Sequence, residues 1–174
     1  ETLLRNYPEE IGADSPHALL ARVHRALRET DQEWTILTNY VVLDAAAPGA
    51  YERLMELAAQ RQDWPLVATN AERYLAVNPL VSIPHQFAAL AAESTGENTR
   101  AVEAYRTLLR LDPPDPADVH FRLARLLRQL GDPAAKRHLL QSLEDAPRYR
   151  EALRMLTELP REIPAPTNAP TLVP

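Results

Sequence analysis

The sequence predicts an all-α protein, an α-solenoid of about four antiparallel helix hairpins with a C-terminal capping helix, extending over residues 15–159. Three observations carry that expectation. Glu97 to Pro113 (ENTRAVEAYRTLLRLDP) overlays Asp63 to Pro79 (DWPLVATNAERYLAVNP) thirty-four residues earlier, so that Tyr105 falls on Ala71, Leu108 on Tyr74, Leu111 on Val77 and Pro113 on Pro79. Self-similarity at such a period, with helical spacing inside it, marks stacked helix hairpins. Capping side chains followed by proline recur at Ser15-Pro16, Asp63 with Pro65, and Asp132-Pro133. There a hydroxyl or carboxylate can accept from free first-turn N–H groups, and proline's missing N–H costs nothing. Plentiful alanine with only 6% aromatic residues suits close helix packing better than a large aromatic core.

Taken in order, residues 1–14 hold Leu3-Leu4 and Tyr7-Pro8 without a sustained period and read as a lead-in segment. Ser15-Pro16 starts a first helix with Leu19, Leu20, Val23 and Leu27 on its apolar face, and its Leu20–Leu27 stretch is similar to Leu123–Leu130. Thr30-Asp31 caps a second helix, with Trp34, Leu37, Val41 and Val42 buried, ending near Asp44. Beyond a loop at Ala47-Pro48-Gly49, a helix carries Tyr51, Leu54, Met55, Leu57 and Ala58, and Asp63 caps its partner. Ser82 and Pro84 open the next pair, whose first helix holds Phe87, Ala88, Leu90, Ala91 and Ala92 and stops at Gly96, a residue free to adopt the left-handed conformation. Pro113 to Pro116 separates that hairpin from one running through Val119, Leu123, Leu126, Leu127 and Leu130 to Gly131, and the helix after Asp132-Pro133 reaches Leu143. The segment 148–159, with Ala152, Leu153 and Leu156 on one side, fits a terminal capping helix. Residues 160–174 carry five of the sixteen prolines and no period, and are expected to be an extended tail or linker.

The second-helix pattern Ala101-x-x-x-Tyr105, closed by Leu111-Asp112-Pro113, resembles that of the tetratricopeptide repeat (TPR) family over roughly residues 15–159. Leu54 with Ala58, Ala88 with Ala92, and Leu123 and Ala124 with Leu127 occupy places where that family alternates large and small residues. By the same alignment the first hairpin departs by about two residues, and the helix after Pro133 is one residue short. The resemblance implies a right-handed TPR-like solenoid, with Tyr74, Tyr105 and Leu108 buried between hairpins. It also implies a concave groove that receives a peptide, lined here by Arg22, Arg25, Glu52, Glu56, Gln86, Leu90, Phe121, Arg125, Arg128 and Arg154. Chaperone-binding members hold a C-terminal carboxylate with lysine, asparagine and arginine; the corresponding Ala18, Arg22, Arg53, Ile83 and Phe87 lack the asparagines and the first lysine.

Charge sharpens the functional reading. Residues 1–80 carry 7 basic and 12 acidic side chains, whereas residues 117–154 carry 8 and 5. The C-terminal end of the array is therefore the basic one, and Arg122, Arg125 and Arg128 place at least two guanidinium groups on one side of a helix, suited to an acidic peptide. A net charge of −5, without interleaved aromatic and basic residues, argues against nucleic acid. The chain has no cysteine, no apolar run of the roughly 20 residues a membrane span needs, and no signal-peptide pattern. Catalytic constellations are absent too: the five histidines form no His-Glu-x-x-His pair, and four glycines build no phosphate loop. His85 and His120 fall at equivalent places in adjacent hairpins, where packing outweighs a shared metal. A single lysine among nineteen basic residues suggests a GC-rich bacterial genome, and the start at Glu1 suggests a fragment or processed product. The sequence thus implies a non-catalytic scaffold without cofactor or metal that binds a peptide or partner protein; the alternative is a structural spacer or C-terminal appendage of a larger, hydrolase- or peptidase-like bacterial enzyme. Its compartment is left open.

Overall fold

The computed structural model describes residues 5–6 and 9–159. Among these the structure is helical, without strands, in nine helices: α1 (Pro16–Leu27), α2 (Thr30–Leu43), α3 (Pro48–Gln60), α4 (Trp64–Val77), α5 (Ser82–Ser94), α6 (Asn98–Leu109), α7 (Pro116–Gln129), α8 (Ala134–Asp145) and α9 (Arg150–Glu158). Helices α1 to α8 form four hairpins and α9 packs on the last one. The tail 160–174 and residues 1–4 and 7–8 of the lead-in lie outside the described residues.

One set of positions builds the interior of every hairpin. Ala21, Met55, Ala89 and Leu123 lie thirty-four residues apart on the first helices, and all are buried. On the second helices Leu37, Ala71, Tyr105 and Leu139 form one such series, and Tyr40, Tyr74, Leu108 and Ser142 form another, again without an exposed member. Ring pairs follow the same interval: His17 stacks on Tyr40 and Tyr51 on Tyr74, each with centroids 5.9 Å apart. The first hairpin and the last thus keep the phase that sequence alignment gave them only loosely. The two-residue departure resides instead in a helix end: α3, α5 and α7 begin thirty-four residues apart, at Pro48, Ser82 and Pro116, whereas α1 begins at Pro16, two residues later than that interval gives, and α8 runs two residues past Leu143.

Turns and caps repeat as well. Ser15 Oγ accepts from Ala18 N, Asp63 Oδ1 from Leu66 N, Asp115 Oδ1 from Asp118 N and Asp132 Oδ1 from Ala134 N. Within each hairpin the chain reverses through a left-handed residue, Gly96 and Gly131 in the later two but Arg28 and Gln62 in the earlier two. Thr30 and Ser82 prove to be first-turn residues rather than caps; Glu29 and Val81 precede them and contribute no side-chain bond.

Several apolar residues expected inside are outside. Leu19, Val23 and Leu27 on α1 are 39%, 50% and 62% exposed, because no hairpin precedes α1 among the described residues. Val42 is exposed like its equivalents Ala76, Arg110 and Glu144, and Leu130 lies at a helix end. In α9 the buried pair is Ala152 and Met155, set against Ala124 and Leu139, which turns Leu153 to solvent.

The core contains one charged layer. Glu33 occupies the position filled by Val67, Ala101 and Ala135 in later hairpins, and Arg53 that filled by Phe87 and Phe121. Where Phe87 packs with Val67, Arg53 forks onto Glu33 at 2.6 and 2.9 Å. The Glu33 side chain is 3% exposed and that of Arg53 18%. Removing one partner of a buried pair strands the other charge, whereas replacing both by packed apolar groups is often neutral or stabilising. Glu33→Ala should therefore cost about 3 kcal/mol, the low end for a broken buried pair, because Arg53 keeps some access to water. Glu33→Val with Arg53→Phe should restore or exceed wild-type stability. Urea titrations of the three chains decide the matter.

Candidate partner-binding face

Every residue that the resemblance assigns to a groove lies on a first helix or on α9. The structure brings these residues together at the two ends of the array and not in one continuous cavity. Between α7 and α9 a depression of about 460 Å³ is lined by Phe121, Arg125, Arg128 and Arg154, joined by Met155, Glu151 and Glu158. Between α1, α2 and α3 a second, of about 430 Å³, collects Arg22 and Arg25 beside the Glu33–Arg53 pair. Glu52, Glu56, Gln86 and Leu90 line neither.

Neighbouring side chains fix most of these groups. Tyr149 begins α9 by laying its ring 4.9 Å from that of Phe121 and donating its hydroxyl to Asp118 Oδ1 at 3.0 Å. Burial, then the bond to Asp118, raises the Tyr149 phenol to about 12, so it remains a donor at neutral pH. Arg122 and Arg125 both reach Glu93 on α5, which also receives the Tyr105 hydroxyl at 2.6 Å. Arg128 turns the other way, to Glu158 on α9 at 2.9 Å. Glu56 accepts from Arg53 at 2.8 Å, and Glu52 lies 3.5 Å from the Tyr74 hydroxyl. Arg22 is bonded to Ala13 O and Asp14. Only Arg25 and Arg154 of the predicted arginines make no ion pair among the described residues.

The basic end is thus partly neutralised. Its cluster of arginines came from composition; Glu93, Glu151 and Glu158, interleaved with them, were missed. A signal for them existed: ion pairs between hairpins join residues about one repeat apart, as in Arg61–Asp31, Arg100–Glu72, Arg125–Glu93 and Arg128–Glu158. Searching each arginine for an acid some thirty positions away finds all four.

Solved structures share this architecture at low sequence identity. Over 83% of the chain it superposes on 82% of MamA with a TM-score of 0.69 and 19% identity. Over 91% it superposes on 97% of YrrB, a TPR protein with an unusual peptide-binding site, at 0.53 and 13%. Over 82% it also matches 29% of a chain in the APC/C hetero-tetramer Cut9-Hcn1, at 0.64 and 19%. The fold is therefore a TPR-like helical repeat. No protein-family model and no curated protein matches the sequence.

The histidines do not assemble as a metal site. His85 contacts Pro79 O at 2.8 Å, while His120 pairs with His138 rather than with His85, its Nδ1 3.0 Å from the partner Nδ1 and the rings stacked. Among the described residues no three metal-ligating side chains converge. At that separation one Nδ1 donates and the other accepts, which favours two neutral rings. Burial first, then the neighbouring His120 and Arg137, pushes His138 down to about 4, and burial also lowers His17 and His120. Unfolded imidazoles titrate near 6.5, so between about pH 4 and 6.5 the unfolded chain binds more protons and stability rises with pH. Melting temperature should fall as pH drops through that window. His120→Phe with His138→Leu should flatten the fall in a thermal scan at pH 4.5 and 7, and an unchanged slope would assign it to carboxylates.

Proposed function

We propose that the chain is a non-catalytic protein-interaction scaffold whose first-helix face binds an extended or helical peptide, with the peptide's acidic residues toward Arg125, Arg128 and Arg154. The depression between α7 and α9 carries this reading: it sets three guanidinium groups around the apolar surfaces of Phe121 and Met155. The likeness to a peptide-binding TPR protein, YrrB, supports it. Exposed ion pairs contribute only about 0–1 kcal/mol each, so the arginines orient and select the peptide while Phe121, Met155 and Leu90 provide apolar contact. Arg154 is the charge to probe, because it has no internal pair to lose.

The spacer reading also has an observation in its favour, since Glu93 and Glu158 already occupy Arg125 and Arg128. A random-peptide display selection on the immobilised protein separates the two. The scaffold reading expects enrichment of peptides combining Asp or Glu with an apolar residue. Arg154→Glu should then weaken the best peptide about three- to tenfold in fluorescence anisotropy, or roughly 0.7–1.4 kcal/mol, without moving the melting temperature. No enrichment, or equal binding by the variant, would leave the array a spacer or appendage within a larger chain.

A further inference from the structure

The recess between α1, α2 and α3, at the junction of the first two hairpins, owes its volume to small side chains. Its lining includes Ala47, Gly49 and Ala50 at the start of α3, and Arg53 one turn on. Thirty-four residues later the same positions hold Val81, Ile83, Pro84 and Phe87. At that next junction Pro84 is buried, and Val81 and Phe87 pack on the cluster that contains Ala71 and Tyr74. At the first junction a side chain on Gly49 would meet nothing within 4 Å, and Arg53 turns to Glu33 where Phe87 packs with Val67. Ala, Gly and Ala in place of Val, Ile and Pro withhold about eight aliphatic carbons, and deleted carbons leave a cavity where the surroundings do not collapse. The resulting volume of about 430 Å³ lies in the range of small-molecule sites.

The charged groups of the recess are unequally satisfied. Glu33 is held by Arg53, and Asp44 accepts from Ala46 N at 3.0 Å and lies 3.3 Å from the Tyr40 hydroxyl. Arg53 is committed to Glu33 and Glu56 through all three of its nitrogens. At the rim Arg25 makes no ion pair among the described residues, while Arg22 reaches Ala13 O and, at 3.4 Å, the exposed Asp14. We propose that this recess binds a free medium-chain aliphatic carboxylate, its chain against Ala18, Ala21, Leu37, Ala47 and Ala50 and its carboxylate in the guanidinium fork of Arg25, beside Arg22. An acid is favoured over an alcohol or an amine because the carboxylates of the recess already have donors, whereas Arg25 has no anionic partner. A free molecule is favoured over a segment of chain because Gly12 and Ala13 wall the recess on one side. Gly12 is pinned there by the Tyr40 hydroxyl, which accepts from its N–H at 3.1 Å and donates to its carbonyl at 2.8 Å, and Arg22 holds Ala13 O. This site is separate from the depression between α7 and α9 and does not depend on a peptide binding there.

Octanoate below its micelle concentration is the probe, titrated into the full chain by calorimetry. It should bind saturably, with octanol and octylamine each at least about tenfold weaker. Arg25→Gln, at an exposed rim position, should weaken octanoate about three- to tenfold without moving the melting temperature. Ala47→Val with Gly49→Ile, which returns the side chains of the next junction, should abolish binding in a chain that melts no lower than wild type. Absence of saturable binding, equal affinity for octanol, or undiminished binding by either variant overturns the proposal. So do two other outcomes. One is a leucine-terminated tetrapeptide that binds more tightly than octanoate and loses that affinity on amidation, which would make a chain terminus the ligand. The other is octanoate binding that appears only once residues 1–8 are removed.

Discussion

A helix hairpin of this length cannot bury both its faces alone, so each must present the same side chains to its neighbours at the same height along the stack. Here that requirement is met by a few positions per hairpin, repeated every thirty-four residues: Ala21, Leu37 and Tyr40 in the first, Met55, Ala71 and Tyr74 in the second, Ala89, Tyr105 and Leu108 in the third, and Leu123, Leu139 and Ser142 in the fourth. Volumes trade across the layer. Where the first helix offers Ala89, the second offers Tyr105; where it offers Met55, the second offers Ala71. The interior stays filled while no single residue type is required.

The departures from that pattern are what distinguish the parts of the array. Glu33 and Arg53 put charge where later hairpins put Val67 and Phe87, so the first hairpin is joined by a directional fork rather than by apolar contact alone. A slipped hairpin would leave both charges buried and unpaired, which would cost stability in any other register. At the other end Phe121 turns toward Tyr149, and the depression beside them is rimmed with both signs of charge. Two of its arginines, Arg125 and Arg128, are braced by Glu93 and Glu158, whereas Arg154 makes no ion pair among the described residues.

Much of this was readable from the chain. The thirty-four-residue offset gave the hairpins, their order and the burial of Tyr74, Tyr105 and Leu108, and the Asp63 cap lies where it was expected. Errors arose where burial depends on neighbours that local sequence does not name. Leu19, Val23 and Leu27 have the spacing of a core face, but among the described residues no hairpin precedes α1 to cover it. Leu153 and Val42 are as apolar as their buried neighbours and differ only in angular position. The residues assigned to a groove were legible as first-helix or α9 positions; their ion-pair partners show in the sequence only as charges some thirty positions apart, which the apolar period does not display.

Because the chain has no cysteine, single thiols can be introduced one at a time to map the layer directly. Leu37→Cys, Ala71→Cys, Tyr105→Cys and Leu139→Cys should all resist a thiol reagent in the native state. Each following residue, Thr38, Glu72, Arg106 and Leu140, is exposed, and its replacement by cysteine should react at the rate of an open site. Protection at all four layer positions and reactivity at all four neighbours is the predicted result. A thiol at Leu37 or Leu139 that reacts as fast as its neighbour, in a chain that still melts cooperatively, would contradict the claim that the first and last hairpins share the phase of the middle two.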